Sequence, residues 1–82
     1  MATVTFLEHD DELIVNLVSD EGSLSEAAAT AENVVTVFQG SEADRLAVLA
    51  PPIEQLSWSG RYFMRTLALL LDLEDEVLVL DR

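Results

Sequence analysis

The chain has 82 residues, half of them apolar, with 16 acidic residues against four arginines, no lysine, no cysteine and a net charge of −12. This size fits a single small domain spanning residues 1–82, and the apolar content suffices for a core. The composition excludes disulfides and thiolate chemistry, and the charge repels phosphate backbones, so no nucleic-acid partner is expected.

Residues 1 to 20 carry five acids and lack a basic start, so no signal peptide is expected. The longest apolar run, near Phe63 to Leu71, is broken by Arg65. It is far shorter than the roughly 20 residues a membrane span needs. A cytoplasmic protein with no membrane association is the expectation.

Residues 3 to 8, "TVTFLE", are β-branched and aromatic, which suits a strand. "HDDE" at 9 to 12 reads as a hairpin turn, and "LIVNLV" at 13 to 18 as a central strand covered at least in part on both faces. The period then changes. Ser23 and Glu26 have capping-box spacing, and Ala27, Ala31, Val34, Val35 and Phe38 fall on one helical face before Gly40. "DRLAVLA" at 44 to 50 reads as a third strand, stopped by Pro51 and Pro52. "IEQLSWSG" at 53 to 60 reads as a loop. Tyr62 to Leu73 follow as a second helix, apolar around most of its circumference, with Phe63, Leu67, Leu70 and Leu71 on one face. "EDEVLVLDR" at 74 to 82 reads as a closing strand.

The expected fold is therefore α/β: a small ββαβαβ domain with a four-stranded mixed sheet. Right-handed crossovers place both helices on one face. The other face, with Leu7, Ile14 and Val48 available to it, would be left bare and drive self-association or partner binding.

The element order and the stretch Leu56-Ser57-Trp58-Ser59-Gly60, lying between a strand and an apolar helix, resemble the STAS domain of anti-sigma-factor antagonists. The likeness covers nearly the whole chain. It implies a protein-interaction module of regulatory function, docking through the loop and the start of the second helix. In that family the loop has the form Asp-Ser/Thr-x-Gly. With Gly60 in register, the family's aspartate position is Ser57, its phosphorylated position is Trp58, and Ser59 takes the variable position. Tryptophan cannot accept phosphate, so the phosphoryl switch does not carry over residue by residue. Ser57 and Ser59 remain candidate phosphoacceptors only if the loop shifts by one. The family usually continues with another helix after the fourth strand, so a trimmed relative that keeps the docking surface is implied.

Read from the residues alone, Ser57 and Ser59 are N-caps of the second helix before they are phosphoacceptors. Trp58, Arg61, Tyr62 and Arg65 form the sole cationic-aromatic cluster of an acidic sequence, and they are the expected partner-binding residues. The bland alternative is a tryptophan covering a core edge and arginines paired with local carboxylates. His9, Asp10, Asp11 and Glu12 read as a solvated turn, because successive side chains diverge there and no second histidine exists. No metal site or cofactor is expected. Gly22, Gly40 and Gly60 are isolated, and His9 lies at the far end of a hairpin from either loop serine, so no enzyme is expected.

A second reading is a structural, self-assembling protein of a halophile. A weaker third is an acidic mimic that occupies a basic protein's nucleic-acid site. The absence of lysine and the excess of acids resemble proteins of salt-loving microbes. Charge repulsion in such a chain is screened over about 3 Å at 1 M salt. Helical ellipticity is therefore expected to rise between low and molar salt, and a flat circular-dichroism titration would contradict a salt requirement.

Overall fold

The computed structural model describes residues 2–71 and, by their backbone, residues 77–81. The elements are β1 (Ala2–His9), β2 (Glu12–Asp20), α1 (Leu24–Gly40), β3 (Arg45–Ala50), a single 3-10 turn (Ile53–Gln55), α2 (Trp58–Leu71) and β4 (Val77–Asp81).

β1 pairs antiparallel with β2, and β2 pairs parallel with β3. The expectation of a four-stranded mixed sheet is corrected. Among the residues described with their side chains, the sheet is three-stranded and mixed, β1 to β3, with two helices. Val77–Asp81 is described only as a backbone ladder running parallel to β3. The remainder of the strand expected over 74–82 lies outside the described residues.

Alternation along the strands builds the core. Leu13, Val15 and Leu17 of β2 and Leu46, Val48 and Ala50 of β3 meet Ala27, Ala31 and Val34 of α1 and Phe63 and Leu67 of α2 in one buried cluster. Alanines at the sheet-facing positions of α1 let its backbone approach closely. The parity of β3 follows from its register, in which Val15 stands beside Val48. Val48 therefore faces the helices and is fully buried, which corrects its assignment to the bare face. The opposite face carries Leu7, Ile14 and Leu49, and Leu7 is 62% exposed there.

The capping box forms as its spacing requires. Glu26 N donates to Ser23 Oγ at 3.1 Å, and Ser23 N donates to Glu26 Oε1 at 3.0 Å. Gly40 is the last helical residue rather than the stop; the cap is Ser41, which donates from N and Oγ to the Phe38 carbonyl. α2 begins at Trp58, earlier than the expected Tyr62, because Ser57 caps it. The acidic hairpin tip also has a packing role: the Asp11 carbonyl accepts from Asp44 N and Arg45 N and so fixes the start of β3.

One irregularity positions everything that follows. Leu17 pairs with Val4 but Ser19 pairs with Thr3, so Val18 is an extra residue in β2. A single inserted residue inverts side-chain alternation beyond it. Without it, Asp20 would lie on the bare face, since Leu17 points to the helices. With it, Asp20 pairs with the buried Ala2 and lies on the helix face.

Candidate functional site

Asp20 meets the start of α2. Ser57 N donates to Asp20 Oδ2 at 2.6 Å, and Ser57 Oγ donates to the Asp20 carbonyl at 2.7 Å. The same Ser57 oxygen accepts from Gly60 N at 3.1 Å, completing an N-cap. An acid at a helix N-terminus also complements the helix dipole. The Ser57 amide hydrogen bond, aided by the serine hydroxyl, holds the Asp20 carboxyl below its ordinary 3.8 against a smaller opposing effect of burial.

Gly60 is required by this contact. A Cβ there would stand 2.8 Å from both Cβ and Oδ2 of Asp20. Alanine would favour a helix by about 1 kcal/mol over glycine. Overpacking against an anchored side chain costs about 1–3 kcal/mol, so glycine is the better residue here.

A turn and one further bond tie the loops together. Gly22, at φ 122°, turns the chain from β2 into α1 in a conformation side chains rarely adopt. Ser59 Oγ then donates to the Ser23 carbonyl at 3.3 Å, joining the two helix starts. Ser59 is only 4% exposed. Both candidate phosphoacceptors thus have structural bonds, and Ser57 alone of the two is exposed.

The other side of this junction is a groove of about 830 Å³, lined by Leu24, Ile53, Trp58, Arg61, Tyr62 and Arg65, with Glu54 and Met64. Trp58 is 79% exposed. The Arg61 guanidinium lies 5.4 Å from the centre of its ring, within cation–π range. Arg61 also donates from Nε to the Ile53 carbonyl at 3.1 Å and from Nη2 to that of Glu54 at 3.4 Å. It therefore braces the 3-10 turn, while Leu56 just beyond is buried in the core.

All four expected partner-binding residues line this one groove. The sequence reading missed Leu24, Ile53 and Leu69. Leu69 is 75% exposed. Trp58, Tyr62, Arg65 and Leu69 recur at i, i+4, i+7 and i+11, a single outward stripe on α2. That spacing was available in the sequence but was obscured by the apolar positions facing the core.

His9 Nδ1 lies 3.3 Å from Asp10 Oδ2 at the exposed hairpin tip. Among the described residues, no three His, Cys, Asp or Glu side chains gather as a metal site, and no helix is long and apolar enough to cross a membrane. Compared with family models, curated proteins and solved structures, the chain finds no match.

Because the folded Asp20 carboxyl is more acidic than the unfolded one, its contribution is present above the ordinary value of 3.8 and is lost as pH falls through the lowered folded value. Asp20→Asn is expected to lower stability at neutral pH and to flatten its decline in that acid window. Urea denaturation across the acid range reads this, and parallel curves for the two proteins would contradict it.

Proposed function

We propose that the protein is a small protein-interaction module, acting in the cytoplasm, that docks a regulatory partner along the outward stripe of α2 and the loop before it. The observation that carries this reading is the exposure of Trp58 on a braced scaffold. An exposed tryptophan leaves a large apolar surface in water, and Trp is enriched among the residues that dominate interface energies. Stacked Arg61, the bonded 3-10 turn and the Asp20 latch hold it in place, so less ordering entropy is lost on binding.

The resemblance to anti-sigma-factor antagonists supports docking at this same edge. The reading keeps that surface and leaves out the phosphoryl switch. A phosphate on Ser57 would remove the hydroxyl donation to Asp20 and set a dianion beside a carboxylate. We assign the groove no catalytic step.

Self-assembly through the other sheet face is a second reading, favoured by exposed Leu7 beside Ile14 and Leu49. A single substitution separates the two. Trp58→Ala removes an exposed side chain, so the fold is expected to survive while partner affinity falls roughly thirtyfold, the equivalent of about 2 kcal/mol for a hot-spot residue. Pull-downs at high salt from the cells that make the protein, wild type beside mutant, would identify the proteins lost. Self-association alone, equal in both, would sink docking and favour assembly.

A further inference from the structure

We infer that the groove receives an acidic peptide segment of the partner. Its carboxylates would meet Arg61 and Arg65, and an aromatic or aliphatic side chain would lie on Trp58 and Tyr62. This inference rests on the docking reading above and names the chemistry of what docks.

Two of the chain's four arginines lie in one groove, although the sequence holds 16 acids that could neutralise them. Among the described residues, the contact at salt-bridge distance is between His9 and Asp10 at the hairpin tip. Neither groove arginine has a carboxylate at salt-bridge distance there, although Glu54 lines the same groove. Arg61 uses Nε and Nη2 on backbone carbonyls and Trp58 as a platform. Its guanidinium is thus fixed in orientation, with N–H donors remaining. Arg65, one helical turn further, is exposed, and its guanidinium makes no hydrogen bond with the described residues. A planar fork held in this way suits two-point recognition of a carboxylate.

Magnitudes decide what else the occupant must carry. Exposed ion pairs contribute little, so two arginines alone do not hold a peptide. Burying one large apolar side chain contributes more than such a pair. Trp58, Tyr62, Ile53 and Leu24 supply the seat for it, and Leu69 extends the stripe. The occupant therefore combines carboxylates with an apolar anchor.

The rest of the molecule opposes an acidic ligand at long range, given its charge of −12. At physiological ionic strength that repulsion is screened beyond about 8 Å, which leaves the groove's own cations to set the local field. Lowering the salt is therefore expected to weaken binding. A basic ligand attracted by the overall charge would bind more tightly at low salt.

Phage-displayed random peptides panned on the wild-type protein test this. The strongest peptide is then synthesised and its affinity measured by fluorescence anisotropy against wild type, Arg65→Glu and Trp58→Ala, across a salt series. The expected result is selection of Asp or Glu beside an aromatic or aliphatic residue. Affinity is expected to fall about tenfold or more in Arg65→Glu, the loss of about 1.4 kcal/mol, and to fall in Trp58→Ala as well. Basic or neutral peptides that depend on Trp58 but tolerate Arg65→Glu would overturn the acidic occupant and leave groove docking standing. Peptides indifferent to Trp58→Ala would overturn both. Failure to enrich any peptide, or occupation of the groove by a second copy of the chain, would also overturn the inference.

Discussion

The arrangement depends on one carboxylate. Asp20 accepts the Ser57 amide at 2.6 Å and so fixes the end of β2 to the beginning of α2. These residues are 37 positions apart in sequence, and the bond joins the two loops that follow the parallel strands. It is charge-assisted, and it satisfies a backbone donor that a helix start would otherwise leave open. Ser57 then caps α2, Ser59 ties it to α1, and Gly60 makes room for the carboxylate.

That bond exists because β2 holds one residue too many. Val18 has no partner of its own in β1, and its insertion inverts the alternation that Leu13, Val15 and Leu17 establish. The strand thereby sends three apolar side chains to the core and, one bulge later, a carboxylate to the same face. A small domain gains twice from this device. The latch stabilises a chain with a limited core, and it places Trp58 at the outer end of a rigid helix rather than on a free loop. The groove is thus a consequence of strand register as much as of its own lining residues.

Much of this was legible in the sequence. The capping box of Ser23 and Glu26 and the buried face of α1 follow from spacing, because local hydrogen bonds and helical period act within a few residues. The grouping of Trp58, Arg61, Tyr62 and Arg65 was legible for the same reason. The cap at Ser57 was legible too, but the start of α2 at Trp58 was not, because the support for that cap comes from Asp20, a partner distant in sequence. Val48 was assigned to the wrong face because strand parity depends on register with β2. The bulge at Val18 left no signal, as "LIVNLV" reads equally well as an uninterrupted strand. Local rules are written in local sequence, whereas register and bulges are set by pairing.

The most direct test of this account is amide hydrogen exchange of Ser57, followed by NMR near neutral pH in the wild-type protein. The account predicts strong protection at Ser57 N, comparable to amides within α2, because its hydrogen is held by Asp20. Exchange at the rate of an exposed loop amide would show that the latch does not form and would remove the physical basis for a fixed Trp58 groove.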